Sequence, residues 1–284
     1  MKLAVPLNSQ GEAWLLQEAG AVEFYCGIQT YDWENTYGNH DSISRRQGAA
    51  NFSTFNELEE LIAETRALNT PLFLTLNGSY TESQLPIVLK ITETFEEIGG
   101  SGIMVTDVAL LSLLKKRNST LVRGLSLLAA VSNLSAMQFF ADLGVNRVVF
   151  PRFLHYQHIK RITEKFPQVE AECIVWLDKC RFIDGYCRFI HSVDCSPACF
   201  ELLGNPPDLP ACGACGIDDL KKSGVSIFKI GGRGRSLETR LAGVRLLSKA
   251  HALNNPVKIK ELYNKEFNFP CRPELCYCKE LDNG

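Results

Sequence analysis

The sequence predicts an α/β chain closed into a (β/α)8 barrel, and three observations carry that reading. Short β-rich apolar runs alternate with stretches whose apolar residues recur at helical spacing, the pattern of βα units repeated around a parallel sheet. Eight such runs occur before residue 232. A length of 284 residues with 45% hydrophobic and 22% charged residues suits one barrel-sized unit with a sizeable core. An open doubly wound sheet is the alternative arrangement of the same elements.

The strand candidates are Leu3 to Leu7, Val22 to Ile28, Pro71 to Asn77, Gly102 to Asp107, Leu121 to Leu128, Arg147 to Pro151, Val169 to Trp176 and Ser226 to Gly231. Helical spacing predicts helices near Glu12 to Ala19, Phe55 to Leu68, Gln84 to Ile98, Ala109 to Lys116, Ser132 to Leu143, Tyr156 to Phe166 and Leu237 to Ala250. Ser53 or Thr54, Asp107 and Ser236 stand where N-caps belong, because a short polar side chain there accepts from the first free amides. Gly99, Gly144 and Gly224 close helices before the next strand.

Two segments break the rhythm. Gln29 to Asn51 is too long for an ordinary βα loop and carries Tyr31, Trp33, Tyr37, His40, Arg45 and Arg46. Residues 178–216 form a cysteine-rich insertion after the seventh strand, in place of most of the helix expected there. In a TIM-like barrel both breaks fall on the C-terminal face, where active sites are built. The expected organisation is a barrel over 1–255 that includes the insertion, followed by a tail over 256–284 with Cys271, Cys276 and Cys278.

A formal net charge of −2 gives no overall basic footprint for nonspecific nucleic-acid binding. The N-terminal apolar stretch is interrupted by Pro6 and Asn8, too short for a signal-peptide core, and no apolar run spans a bilayer. A cytoplasmic location is expected.

Eleven cysteines is a high and odd number, and six of them lie between Cys180 and Cys215. In a reducing compartment such clustering points to metal or redox chemistry. The spacing reads Cys180-x6-Cys187, then Cys195-x3-Cys199, then Cys212-x2-Cys215. Four converging thiolates complete either an iron-sulfur cluster or a zinc site. The six-residue opening gap fits a cluster better than zinc, which favours two compact pairs. Cys212 and Cys215 could complete that cluster, pair with the tail cysteines in a second metal site, or stiffen a loop. Cys26 and Cys173, inside strand candidates, read as small buried hydrophobes.

Asn77, Asp107 and Arg152 each end a strand candidate and so face the barrel mouth, although Asp107 also suits a helix cap. The run Lys229 to Arg235 is a glycine-rich turn whose amides could hold an anion beside Arg233. Arg45 and Arg46 suit bidentate contact with a carboxylate or phosphate. His155 and His158 begin a helix candidate and read as solvated or capping. No catalytic group is legible, and no Ser-His-Asp or His-Glu-x-x-His pattern supports hydrolysis.

The segments Ser44-Arg-Arg-Gln-Gly-Ala-Ala-Asn51-Phe52, Cys180-x6-Cys187, Cys195-Ser-Pro-Ala-Cys199 and Lys229-Ile-Gly-Gly-Arg233 occur in that order along the eight units. In this the chain resembles the collagenase-like peptidase U-32 family from Lys2 to about Ala250. Despite its name, the family includes oxygen-independent hydroxylases of a quinone precursor or of RNA bases. The resemblance implies a 4Fe-4S cluster on Cys180, Cys187 and Cys195 with Cys199 or Cys212 as fourth ligand, zinc being the alternative metal. It also implies prephenate as a small anionic oxygen donor, gripped by Arg46, Arg152 and Arg233. In length the chain is similar to the shorter quinone-pathway members, and a hetero- or homo-dimer is an expected assembly. A non-catalytic, metal-stabilised partner subunit is the second reading, and a peptidase the third. Val193-Asp194, Gly231 and the cysteine-rich tail depart from the family pattern.

Overall fold

The computed structural model describes residues 1–38, 42–46, 48–177, 185, 210–253 and 255–277. Strands β1 (Lys2–Pro6), β2 (Glu23–Gly27), β3 (Leu72–Leu76), β4 (Gly102–Val105), β5 (Val122–Leu125), β6 (Arg147–Val149), β7 (Glu170–Trp176) and β8 (Ile227–Ile230) pair in parallel. Pairing of β8 with β1 closes the barrel and excludes the open sheet.

The helices are α1 (Ala13–Ala19), α2 (Tyr31–Tyr37), α3 (Phe55–Ala67), α4 (Leu85–Glu97), α5 (Val108–Lys116), α6 (Leu134–Asp142), α7 (Tyr156–Lys165), α8 (Ile217–Lys222), α9 (Leu237–Leu253) and α10 (Pro256–Phe267). The expected caps form. Thr54 and Glu57 make a reciprocal capping box on α3. Asp107 accepts from Leu110 N at 2.9 Å, and Ser236 from Thr239 N at 3.3 Å. His155 caps α7 through Gln157 N, as one of its expected roles required. The fifth strand is shorter than its apolar run, because Ser126 caps a 3-10 turn over Leu127–Ala129.

Three helices lie where the sequence reading placed loop or tail. Thr30 accepts from Trp33 N and starts α2 inside the long second loop. The short α8 is what remains of the helix after β7. Asn255 accepts from Val257 N and Lys258 N to start α10, which packs on α9 and carries the fully buried Tyr263.

The barrel interior holds an apolar layer of Tyr25, Phe73, Met104 and Val149. Towards the N-terminal ends of the strands lies a buried charge layer. Arg147 donates to Glu23 at 2.5 Å and to Glu170 at 2.7 Å, and its guanidinium sits over the Phe73 ring. Lys229 Nζ donates to the fully buried Glu172 at 2.7 Å and lies over the Tyr25 ring. The other Glu172 oxygen accepts no hydrogen bond and faces Arg147 at 3.8 Å. Burial, and then the nearby Glu172 charge, pushes the Glu23 carboxyl above its ordinary range.

On the outside, Arg240 of α9 makes a two-pronged contact with Glu12 at 2.7 and 2.8 Å. Burial opposes ionisation of Glu12, but Arg240 and the Asn8 amide outweigh it and hold the carboxyl below its usual range. The stabilisation is therefore complete above the unfolded carboxylate range and is lost as pH falls through the lowered folded value. Denaturation followed against pH should show an acid-side loss of stability that Glu12→Gln makes shallower.

Lys229→Met should destabilise the barrel by about 3–5 kcal/mol, since the buried Glu172 loses its hydrogen-bonded cation and keeps only Arg147 at 3.8 Å. Urea melts should show Lys229→Met/Glu172→Leu recovering most of that loss. A double variant no more stable than the single one would show that the pair is not what matters.

Candidate active site at the barrel mouth

Beyond the C-terminal ends of the strands, the chain after β2 folds back to lengthen that strand. Phe52 N donates to Gly27 O at 2.9 Å and Gln29 N to Phe52 O at 2.8 Å. Between these points α2 buries Trp33, which packs against Tyr37 and Tyr80. Tyr80 belongs to the loop after β3, and its hydroxyl donates to Ile43 O at 2.6 Å. Trp33 is thus a packing residue of the rim, while Tyr31 is 61% exposed.

Arg233 is the centre of this rim. It is 6% exposed and donates through one nitrogen to Thr75 Oγ1 at 2.7 Å, Ser44 Oγ at 3.0 Å and Asn51 Oδ1 at 3.4 Å. Asn51 in turn donates to Arg46 O at 2.6 Å, and Asn77 Oδ1 accepts from Arg45 N at 3.0 Å. Gly27 is required beneath this contact: a Cβ there would collide with the Arg233 guanidinium and the Asn51 amide. Two motifs far apart in sequence, 44–52 and 229–235, therefore meet through one guanidinium.

The structure brings Arg45, Arg46, Asn77 and Arg233 onto one side of the mouth. Arg45 and Arg46 are half-buried there. Asp107 joins them by accepting from Tyr80 N at 3.1 Å while it caps α5. Arg152 is not among these contacts; it lines a small apolar cavity with Pro151, Cys173, Gly213 and Tyr277 and with Ile159 of α7 and Leu220 of α8. The glycine-rich turn after β8 is held by its own protein. Gly234 N donates to Asn8 Oδ1 at 3.1 Å, Asn8 Nδ2 to Arg235 O at 2.8 Å and Gly231 N to Trp176 O at 2.8 Å. Gly232 and Gly234 take φ of 104° and 79°, which glycine alone adopts readily.

Of the candidate metal ligands, Cys180, Cys187, Cys195 and Cys199 lie outside the described residues, as does Cys278. Cys212 is described. It pairs antiparallel with Trp176 at the end of β7, so the insertion returns beside the strand it leaves. Leu177 N donates to Ala211 O at 2.9 Å and Gly213 N to Val175 O at 2.7 Å. Tyr277 of the tail donates to Leu177 O, and Tyr263 donates to Pro210 O at 2.9 Å. Leu177 has φ of 58°, a left-handed conformation costing on the order of 1–2 kcal/mol in a non-glycine residue, at the point where the insertion departs.

Cys26 and Cys173 are buried in strands, as expected. Burial pushes the Cys26 thiol up to about 12 against the opposing charge of Arg233, and burial followed by Glu172 pushes Cys173 up as well. Neither is a ready nucleophile. Among the described residues no group of three His, Cys, Asp or Glu side chains is arranged to hold a metal ion, and no helix is long and apolar enough to cross a membrane.

A closed (β/α)8 barrel with an arginine-bearing loop at its mouth and a cysteine-rich stretch of sequence after β7 is the class of protein that fold and site define. The model of peptidase family U32 matches residues 12–198, and the chain belongs to that family. It is similar to tRNA hydroxylation protein P of Helicobacter pylori, at 28% identity over 61% of this chain and 41% of the relative. The Escherichia coli protein of the same name is 24% identical over 61% of this chain and 38% of the relative. The chain thus spans about two fifths of the length of these curated relatives. In fold alone it is similar to an octameric ribulose-1,5-bisphosphate carboxylase/oxygenase from Pyrococcus horikoshii. There the TM-score is 0.52 at 12% identity, covering 99% of this chain and 64% of that one.

The residues that the sequence reading gave no role are Asn8, Ser44, Thr75, Tyr263 and Tyr277. Ser44 stood inside a motif already singled out; the others carried no local signal, because their partners are distant in sequence.

Arg233→Met should free residues 42–52 without unfolding the barrel. Hydrogen exchange there should accelerate while β-strand amides stay protected, with a stability loss of about 1–3 kcal/mol for the acceptors left unpaired. Gly27→Ala should give the same pattern. Unchanged exchange in both variants would remove Arg233 as the clamp.

Proposed function

We propose that this chain carries the barrel of a tRNA-modifying hydroxylase that transfers oxygen to an RNA base from an anionic organic donor. The observation that carries this reading is the family match from residue 12 to 198, which runs through the rim loop and the first cysteines. Support for the RNA base comes from the relatives, which bear the name tRNA hydroxylation protein P.

Prephenate, the donor implied by the family resemblance, carries two carboxylates, and guanidinium groups suit that chemistry through paired hydrogen bonds. Arg45 and Arg46 start from backbone fixed by Asn77 and Asn51, so their side chains leave the rim from set positions. Arg152 approaches from the cysteine side. Tyr31 offers an exposed ring on which an unstacked base can lie. With a formal charge of −2 overall, RNA phosphates are met by such local groups and not by the whole surface.

The donor set suits a 4Fe-4S cluster, with soft thiolates from Cys180, Cys187 and Cys195 and a fourth from Cys199 or Cys212. Bound there, it would supply electron transfer beside the donor. The protein's own part is to fix the donor, admit the base and keep competing water out.

Protein purified without oxygen and incubated with tRNA and prephenate should give a hydroxylated nucleoside by mass spectrometry, and none when prephenate is omitted. Arg46→Ala should raise the KM for the donor by about tenfold to a hundredfold, the worth of a charge-assisted contact. Iron-loaded protein that hydroxylates no tRNA base would overturn the reading; turnover of a quinone precursor instead would move the acceptor.

A further inference from the structure

Four cysteines that the family match does not reach converge behind the mouth. Cys212 and Cys215 follow the insertion, and Cys271 and Cys276 belong to the tail, all outside residues 12–198. The backbone brings them together. Cys212 pairs with Cys276 in a parallel bridge, closed by Cys212 N donating to Leu275 O at 2.8 Å and Tyr277 N to Cys212 O at 3.0 Å. Cys215 lies in the 3-10 turn Ala214–Gly216, which packs on α9 and α10. Cys271 follows α10, and its amide donates to Asn264 Oδ1 at 2.7 Å.

We propose that Cys212, Cys215, Cys271 and Cys276 form a structural zinc site that staples the tail to the exit of the cysteine insertion. The spacing is that of zinc. Cys212-x2-Cys215 and Cys271-x4-Cys276 are two compact pairs, unlike the wide Cys180-x6-Cys187 step. The amide of Ala214 already donates to Cys212 Sγ at 3.4 Å, the second-shell contact that steadies a thiolate on a metal.

Every pairing among the four thiols is close enough for their charges to interact. Burial first, and then that mutual repulsion, pushes the Cys215 thiol up to about 11 and raises Cys271. Cys212 is raised by burial and by its three neighbours. Lys260 lies near Cys215 and Cys271 and offsets part of the charge.

In this structure the four side chains are not drawn into a metal-holding group. Cys215 Sγ instead donates to Pro256 O at 3.8 Å. Zinc uptake therefore requires side-chain rotation on a backbone already in place. No electron moves: each thiol gives its proton to solvent as its sulfur binds zinc, so four protons leave per ion and affinity falls steeply with acid. With Cys212 committed here, Cys199 is the fourth ligand left for the cluster proposed above.

The test measures zinc and iron together in full-length protein purified without oxygen. Native protein should hold zinc in addition to any iron. Cys271→Ser and Cys276→Ser should each lose the zinc, keep the iron content of the native chain, and expose residues 210–216 to faster hydrogen exchange. Cobalt substitution should give the visible absorption of a tetrahedral thiolate site in native protein and in Cys26→Ala, but not in the tail variants. Zinc retained in the tail variants, zinc absent from native protein, or iron lost together with zinc would each overturn the proposal. A native chain with zinc but no iron would leave this site standing and remove the cluster instead.

Discussion

The mouth of this barrel depends on how a long excursion of chain is held where it returns to the strand it left. Residues 28–52 leave β2 and return to it, and ordering so many residues costs on the order of 1 kcal/mol or more for each. Part of that cost is offset by burial of Trp33 against Tyr37 and Tyr80. At that return Arg233 shares one nitrogen among hydroxyl and amide oxygens from β3 and from Ser44 and Asn51 of the returning limb. A lysine could not replace it. Its ammonium would have to reach the same acceptors from a flexible stem, whereas the guanidinium is planar and buried beside a glycine that leaves room for it.

The cysteine insertion is managed differently. Its two ends lie side by side, with Leu177 bonded to Ala211 and Cys212 opposite Trp176. The tail then covers this neck, Tyr263 reaching Pro210 and Tyr277 reaching Leu177. Helix α10 packs on α9, and the turn after it bridges to Cys212 just past the insertion.

What the sequence made legible follows from the range of each interaction. Strand and helix alternation is local, so all eight strands were readable, as were caps such as Thr54 and Asp107. Helix α2 was hidden because its seven residues are rich in aromatic and polar side chains, and its stability comes from Tyr80, far along the chain. Arg233 stood out as a turn arginine suited to an anion. The structure shows what a single sequence cannot: its partners come from residues 44, 51 and 75. The pairing of Cys212 with Cys276 was likewise one of several open possibilities, since spacing orders ligands within a pair but not between pairs.

The buried charges of the barrel gather towards one end of the strands and its rim loops at the other. Towards the N-terminal ends Arg147 and Lys229 are enclosed among Glu23, Glu170 and Glu172 and shielded by the Phe73 and Tyr25 rings. Charges so tightly matched fix register and leave little field outside. At the C-terminal end Asp107 accepts from Tyr80 N and from the Leu110 amide of α5, which ties the loop after β3 to that helix. The apolar layer of Tyr25, Phe73, Met104 and Val149 lies between the two ends and limits water between them.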